Sequence, residues 1–478
     1  MDKSTLDREE RTLVISDIHL GEDILEEGSL KLSEYIKRLN FELSGFIRAH
    51  TENTESGPLW HLVINGDMFD FLKVNVDLES SSKSEANPYD NTPDKTVSKL
   101  IRIIEIHRPI FKAIAHFVRA GNRLTIIEGN HDAELYFDAV KETFRRELYA
   151  LIEPESGYEY RFFSEKVIFQ NWFEARIGRY HIEHGHQYDP MCSFAHLLAP
   201  FEPSGEQLAI PIVHRAIAPF TEVLGDFSTH GLEKWGMIDY LRFSFSHSPK
   251  IIWKLAKLYF SIAFDLVAKS GKKREQELFE FKQQHQEALD GLAQHTIYGL
   301  PILQELDRLK AKPAEYSWLK IFHALFLDRL LLLVMLPLIL LVSVFVFEGL
   351  NILWAGLALV ATVLAAVYTL NQVGGSDSEE KLRESAGQIA ELTGARYIIF
   401  GHSHAPDLMM LKSVKDSSYG EHCFYINTGS WVTREIVSDD AKGMTYAELN
   451  TEGAFLKRWH SREKPAIIFS SKELQESA

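Results

Sequence analysis

The chain has 478 residues, of which 45% are hydrophobic and 25% are charged, a composition typical of a folded protein with more than one module. Its formal net charge of -16 argues against passive binding to nucleic acid, which requires a basic surface. With only two cysteines, Cys192 and Cys423, we expect neither a disulfide framework nor a zinc site built from thiolates. The polar and charged residues at 1–11 predict no secretory signal peptide there.

The first two predicted strands both end at acidic residues. Residues Thr12–Ser16 are apolar or β-branched and lead into the cluster Asp17–His19. Residues Leu62–Asn65 form the second apolar segment, and Asp67 and Asp70 follow it. Two carboxylates at a strand end are costly to leave unpaired, which favours a cation between them. For this segment alone, a capped strand-to-helix turn is the alternative.

Two long helices are predicted between these strands and the next. Apolar residues at helical spacing indicate one helix from Ser29 to His50. A second helix is expected over Lys95–Ala120, where Pro109 should kink or divide it. Both helices therefore belong to the packed core and not to a functional site.

Further strands also end at polar side chains that bind metals or move protons. Residues Leu124–Glu128 form a strand that stops before Asn130 and His131. The segment Lys166–Glu183 is expected to form paired strands that end at His184. An amide oxygen or an imidazole nitrogen at such a position is an ordinary ligand for a divalent metal.

The last polar cluster follows the apolar segment Tyr397–Phe400. Five polar clusters thus follow five apolar segments, although any one cluster alone is a weak signal. In chain order they are Asp17-Ile18-His19, Gly66-Asp67-Met68-Phe69-Asp70, Gly129-Asn130-His131-Asp132, His184-Gly185-His186 and Gly401-His402-Ser403-His404. For His186 the pattern leaves two roles open, contact with a substrate phosphate or support of a ligand.

This ordered set resembles the calcineurin-like metallophosphoesterases, over about residues 12–190 and 396–460. The resemblance implies an α/β (α+β) fold, a four-layer αββα sandwich, and two divalent metals, Mn²⁺ first and Fe or Zn²⁺ as alternatives. It implies that these side chains hold them: Asp17, His19 and His404 for the first metal, Asn130, His184 and His402 for the second, and Asp67 for both. His131 would act at the leaving oxygen, and Asp70 would orient His131.

A long insertion separates the two halves of this predicted core. Residues 330–347 are apolar except Ser343, and residues 352–370 form a second apolar run of similar length. Joined by a short turn, the two runs predict a transmembrane helical hairpin. A buried hairpin in a large soluble core is the alternative.

The charges around the hairpin predict its orientation. Lys and Arg flank both of its ends, which by the positive-inside rule places the catalytic domain in the cytoplasm. Within 241–274, Lys and Arg alternate with apolar residues, as in a helix at an anionic membrane surface, although a helix packed on the core is equally consistent. The expected domains are a core at 11–195 and 385–465, a helical insertion at 196–328 and the hairpin at 329–371.

Together these patterns predict a membrane-anchored phosphoesterase with two metals. We expect it to hydrolyse a phosphate ester, phosphodiester or pyrophosphate with a metal-bridging hydroxide, on a substrate that is lipid-linked if it reaches the site from the bilayer. The resemblance extends to UDP-2,3-diacylglucosamine pyrophosphatases, which typically have Arg where this chain has His131. A protein phosphatase or nuclease of the same superfamily is one alternative, and a non-catalytic membrane scaffold is another.

Overall fold

The structure is a computed structural model that shows a mixed α/β fold with two β-sheets. It describes residues 11–21, 30–51, 59–74, 76, 90–152, 159–203, 205, 207–216, 249–325, 327–328, 331, 335, 361–362, 376–411, 422–432, 443–461 and 463–476.

The first sheet has seven strands in the order β12-β11-β10-β1-β2-β3-β4. These are β1 (Arg11–Ile15), β2 (Trp60–Asn65), β3 (Arg123–Ile127), β4 (Val167–Gln170), β10 (Thr445–Leu449), β11 (Ala454–Arg458) and β12 (Ala466–Ser470). Strands β1 to β4 pair in parallel, and the register aligns Ile15 with Ile64 and Ile64 with Ile126. The loops that follow β1, β2 and β3 therefore leave the same edge of the sheet.

The second sheet has five strands in the order β5-β6-β7-β9-β8. These are β5 (Phe173–Arg176), β6 (Tyr180–Glu183), β7 (Tyr397–Phe400), β8 (Asp407–Leu411) and β9 (Cys423–Asn427). Strands β6, β7 and β9 pair in parallel, so their carboxyl ends also share one edge. The long insertion separates β6 from β7 in the chain, yet the two strands are neighbours in the sheet.

Alternation along the strands explains how the sheets and helices form layers. In β1, Val14 faces the second sheet within a cluster that includes Ile182 and Ile399, whereas Leu13 and Ile15 join a separate core. That separate core contains apolar residues from the helices α1 (Leu30–Thr51), α2 (Pro93–Ile106), α3 (Arg108–Arg119) and α4 (Asp138–Ala150). The period of two in a strand thus separates the contacts between sheets from the contacts to helices.

The insertion contributes helices to the other side of the second sheet. Further helices among the described residues include α5 (Tyr160–Ser164), α6 (Pro249–Ala268), α7 (Lys272–Leu278), α8 (Lys282–His295), α9 (Leu300–Leu309), α10 (Trp318–Ala324), α11 (Ser376–Thr393) and α12 (Ser471–Glu476). Leu289, Leu303 and Ile389 of α8, α9 and α11 pack with Ile398 and Phe400 of β7. Part of the insertion is therefore an outer layer of the fold.

The structure corrects the prediction of a transmembrane hairpin. No helix among the described residues is long and apolar enough to cross a bilayer. The longest apolar helix that the structure describes in the insertion, α6, carries Lys250, Lys254, Lys257 and Asp265, whose burial in hydrocarbon is costly. The predictions of two transmembrane helices and of a membrane location with a cytoplasmic catalytic domain are therefore wrong for the part of the chain that the structure describes.

The residues on which the hairpin was predicted mostly lie outside the described part. Of 329–371, the structure describes Leu331, Met335, Ala361 and Thr362. Apolar runs of about 18 residues stand at the lower limit for a membrane span. Their length alone therefore does not identify one.

The helix predicted within 241–274 is present as α6. Its residues Leu255, Ala263 and Leu266 are buried, whereas Trp253 and Phe264 are exposed by 76% and 78%. The buried face packs within the insertion, where Leu266 lies in a cluster with residues of other segments. Contact of the exposed face with a membrane stays a prediction.

Candidate metal centre

The loops at the strand ends have an unusual backbone conformation. Among the described residues, the non-glycine residues with positive φ are Asp17 (54°), His19 (54°), Asp67 (52°), His402 (65°), His404 (56°) and Met444 (58°). All but Met444 belong to the polar clusters. A left-handed backbone at such residues costs on the order of 1–3 kcal/mol each and concentrates at functional sites.

Hydrogen bonds between loops hold this conformation in place. The backbone N–H groups of Ile18 and His19 both donate to the carbonyl oxygen of Asp67, at 2.9 and 3.0 Å. The N–H of His402 donates to Oδ2 of Asp17 at 3.1 Å, which connects the second sheet to the first. The loops after β1, β2 and β7 are therefore fixed against one another.

Three glycines allow this close approach. A Cβ at Gly66 would collide with the ring of His184, and one at Gly129 would collide with the carboxylate of Asp67. A Cβ at Gly401 would lie 2.6 Å from Oδ2 of Asp17. The glycine in each of these clusters thus makes room for a predicted ligand from another strand.

The predicted ligands of the first metal meet in one place. Nε2 of His404 lies 3.2 Å from Oδ1 of Asp17 and 3.3 Å from Nε2 of His19. Nε2 of His19 lies 3.8 Å from Oδ2 of Asp67. One ligand atom from each of Asp17, His19 and His404 lies within 4.8 Å of the others, as expected for donors around a single ion.

Asp67 also joins a second group of donors, with Asp17 and His184. Nδ1 of His184 lies 2.9 Å from the carbonyl oxygen of Asn65 and donates to it, which turns Nε2 toward Oδ2 of Asp67 at 3.2 Å. A backbone carbonyl on one ring nitrogen commonly fixes the other nitrogen as the metal ligand. Asp67 therefore lies between the two groups, where a bridging carboxylate is expected.

The chemistry of these side chains fits divalent metals. Asp17 and Asp67 are 0% and 1% exposed, and burial of two neighbouring carboxylates is costly without a cation. Oδ1 of Asn130 is buried and has no hydrogen-bond partner among the described residues. Burial raises the pKa of Asp67, but the charges of His184 and His131 outweigh it and hold that pKa well below its usual range. The site thus favours an ionised carboxylate that faces cations.

Two predicted ligands of the second metal have further contacts. The side-chain nitrogen of Asn130 lies 3.3 Å from Nε2 of His214. Nε2 of His402 lies 3.4 Å from Oδ2 of Asp189, although its ring is 5.4 Å from that of His184. His402 therefore lies beside His184, and Asn130 and His402 each contact a residue that the sequence patterns did not identify.

His131 and Asp70 form a pair at the edge of the centre. Nδ1 of His131 lies 3.3 Å from Oδ2 of Asp70, and the backbone N–H of His131 donates to Oδ1 of Asp67 at 2.9 Å. Burial lowers the pKa of His131, but Asp67 and Asp70 outweigh it and raise that pKa. Burial likewise opposes the ionised form of Asp70, while His131 brings the pKa of Asp70 to about 2. The pair therefore favours a protonated imidazole beside a carboxylate.

Asp132 is a structural residue of the same cluster that sequence reasoning left without a role. Its Oδ2 accepts from the N–H groups of Met68 and Phe69, at 2.7 and 3.2 Å, and its Oδ1 accepts from Gly129 at 2.7 Å. One fully buried carboxylate thus joins the loops after β2 and β3. In the sequence, the only indication of this role is that Asp132 belongs to the cluster Gly129–Asp132.

His186 is buried beside the second group. Its ring centroid is 5.4 Å from that of His184 and 5.6 Å from that of Phe194. Neither ring nitrogen has a hydrogen-bond partner among the described residues. Burial, together with the charges of His184 and His402, holds the pKa of His186 well below its usual value. A neutral ring near the ligands agrees with both roles left open by the sequence.

Comparison with known proteins does not assign the chain to a family. No family model matches the chain, and no curated protein matches it.

Proposed function

We propose that the chain is a phosphoesterase that uses two divalent metals. The observation that carries the proposal is a buried centre in which Asp17, His19 and His404 form one group of donors, and Asp67 and His184 join Asp17 in a second. When bound, two divalent ions would supply positive charge at the phosphoryl oxygens and activate a water molecule near neutral pH. Mn²⁺ is the first candidate, with Fe and Zn²⁺ as alternatives.

The chain's own residues would hold the metals and fix the site. Asp67 would bridge the two ions, since its carboxylate faces both donor groups. Its Oδ1 also accepts from the backbone of His131, so that the bridge cannot rotate without breaking a hydrogen bond. Asp17 is restrained in the same way by the N–H of His402. This rigidity is the preorganisation that a charged transition state requires.

His131 is proposed to donate a proton to the leaving oxygen. Its ring lies 4.4 Å, centroid to centroid, from the ring of His19, a proposed ligand of the first metal. Nδ1 contacts Oδ2 of Asp70, so Nε2 would be the nitrogen that donates to the leaving oxygen. The neighbouring carboxylate of Asp70 favours the protonated ring, which is the form that can donate a proton.

The alternatives receive less support from the molecule. A nuclease needs a basic surface, whereas the chain carries a formal net charge of -16. A non-catalytic scaffold has no need for strained loops that bring ionisable side chains together in a buried centre. A lipid-linked substrate stays a prediction from sequence, and the transmembrane hairpin on which it relied is not proposed.

The test is hydrolysis of bis(p-nitrophenyl) phosphate by metal-stripped protein, with and without Mn²⁺. We expect turnover that requires the metal and is lost in Asp67→Ala. Asp290→Ala, which removes an exposed carboxylate of α8, serves as the matched control and should retain activity. Metal bound at trace level, with no turnover in any condition, would contradict the proposal.

A further inference from the structure

Two further side chains contact predicted ligands of the second metal, one from the helical insertion and one from the segment that leads into it. His214 contacts Asn130, and Asp189 contacts His402. We propose that His214 and Asp189 are positioning residues for the second metal, so that the insertion and the segment leading into it determine how tightly this metal binds. The inference rests on the proposed function, because it presumes that the centre binds two metals.

His214 determines which atom of Asn130 faces the metal. The amide nitrogen of Asn130 donates to Nε2 of His214 at 3.3 Å. The amide oxygen is then directed elsewhere, and it is buried with no hydrogen-bond partner among the described residues. An oxygen is the amide atom that binds a divalent metal. Loss of the acceptor on His214 would allow the amide to rotate and present its NH₂ group instead.

His214 is itself held in place by packing. Its ring meets the ring of His131 at 84°, with the centroids 4.1 Å apart. The helical turn at 212–216 that carries it buries Ile212 and Ala216 against Leu266 and other residues of the insertion. Arg215, the next residue in the chain, forms an ion pair with Glu315. The docked insertion therefore fixes the acceptor that orients Asn130.

Asp189 fixes the ring of His402 in a comparable way. Its Oδ2 lies 3.4 Å from Nε2 of His402 and 3.2 Å from the hydroxyl of Ser378. Its Oδ1 accepts from the N–H of Met191 at 2.9 Å. When Nε2 of His402 donates to this carboxylate, Nδ1 is the ring nitrogen that keeps a lone pair for a metal. A carboxylate on the outer nitrogen of a ligating histidine is a common support for metal sites.

Measurement of metal affinity distinguishes a positioning role of His214 and Asp189 from a purely structural one. Metal-stripped protein is dialysed against a series of Mn²⁺ concentrations, and bound manganese per chain is measured by mass spectrometry. In His214→Ala and Asp189→Asn we expect one of the two sites to weaken by about 10- to 100-fold while the other is unchanged. His214→Gln keeps a hydrogen-bond acceptor and should recover part of the affinity.

The matched control is His285→Ala. His285 is also a buried histidine of the insertion, but it contacts Asp307 and the N–H of Leu198, away from the centre. Thermal unfolding in EDTA compares the stability of all variants without metal. We expect His285→Ala to bind two Mn²⁺ as the wild type does, even if it melts at a lower temperature.

Two of the possible results separate the proposed function from the positioning role of His214 and Asp189. A wild-type protein that binds no Mn²⁺ overturns the proposed function, and the inference with it. If the wild type binds two Mn²⁺ and both His214→Ala and Asp189→Asn bind them equally well, the inference alone is overturned. Equal loss of metal in His285→Ala would also overturn it, because the effect would then follow from destabilisation of the insertion.

Discussion

Nε2 of His184 lies 3.2 Å from Oδ2 of Asp67, while Nδ1 of the same ring donates to the carbonyl oxygen of Asn65. A neutral ring in this position turns a lone pair toward a carboxylate, so a positive charge is needed between them. Burial lowers the pKa of His184, but Asp67 and Asp17 outweigh it and raise that pKa to about 9. Without metal, a proton supplies the positive charge; a divalent ion would displace it.

This arrangement predicts that metal stabilises the fold. The ligands come from loops that are brought together only when the sheets form, so metal should bind the folded chain in preference to the unfolded one. At about 100 times its dissociation constant, each bound Mn²⁺ should raise the free energy of unfolding by about 2.7 kcal/mol. Urea unfolding with EDTA or Mn²⁺ measures this difference, and Asp67→Asn should reduce it strongly. Equal stability of the wild type in both conditions would contradict the prediction.

The pair of His131 and Asp70 predicts a dependence on the leaving group. His131→Ala should slow hydrolysis of an alkyl phosphate ester by about 100- to 10,000-fold, because its alkoxide requires a proton. Hydrolysis of a p-nitrophenyl ester should slow far less, since p-nitrophenolate leaves without one. Asp70→Asn should act in the same direction with a smaller effect on kcat.

Metal content provides the control for these variants. The backbone N–H of His131 donates to Oδ1 of Asp67, and this hydrogen bond survives the loss of the side chain. Mass spectrometry should therefore find the same manganese content in His131→Ala as in the wild type. An equal loss of activity on both kinds of ester would contradict a role for His131 at the leaving oxygen.

Much of the core could be predicted because its segments have sharp boundaries. The strand predicted at Tyr397–Phe400 has the same bounds in the structure, and the one predicted at Thr12–Ser16 is shifted by one residue, to Arg11–Ile15. Both are short apolar segments that end at polar residues. The helix predicted over Lys95–Ala120 is divided at His107, two residues before Pro109.

Contacts between distant parts of the chain could not be predicted in this way. His214 is 84 residues from Asn130, and Asp189 is 213 residues from His402. No local pattern marks either residue, because their positions depend on how the insertion packs. The apolar runs at 330–370 illustrate a different limit of sequence patterns, because hydropathy alone does not distinguish a membrane span from a helix packed in protein.

Asp307 predicts a specific dependence of stability on pH. Its carboxylate lies 2.8 Å from Nε2 of His285 and forms an ion pair with Lys310. Burial opposes ionisation, but His285 and Lys310 outweigh it and lower the pKa of Asp307 from 3.8 to about 2. A lowered pKa in the folded state stabilises the protein above pH 3.8, and this stabilisation is lost as the pH falls toward 2.

Asp307→Asn should therefore reduce the free energy of unfolding by about 2 kcal/mol at pH 7. The difference from the wild type should shrink between about pH 4 and pH 2, as the wild-type carboxylate takes up its proton. Urea unfolding at a series of pH values measures this. The exposed Asp290→Asn is the control and should change stability by less than about 0.5 kcal/mol at any pH. A constant difference between wild type and Asp307→Asn would contradict the assignment.

A pair of glycines tests whether Asp67 must keep its position. A Cβ at Gly129 would lie 2.5 Å from the backbone nitrogen of Asp67 and closer still to its carboxylate, whereas a Cβ at Gly387 in α11 meets nothing within 4 Å. Gly129→Ala should cost about 1–3 kcal/mol and displace the bridging carboxylate, with loss of Mn²⁺ binding. Gly387→Ala should stabilise the helix by about 0.5–1 kcal/mol and leave metal binding unchanged.

Chemical unfolding and equilibrium dialysis with Mn²⁺ measure both effects on the same preparations. Because the added methyl group at residue 129 would clash with Asp67 itself, metal binding should be lost even where Gly129→Ala remains folded. A folded Gly129→Ala protein that binds manganese as the wild type does would show that the centre tolerates movement of Asp67. Asp67 would then not be the carboxylate that holds the two metals together.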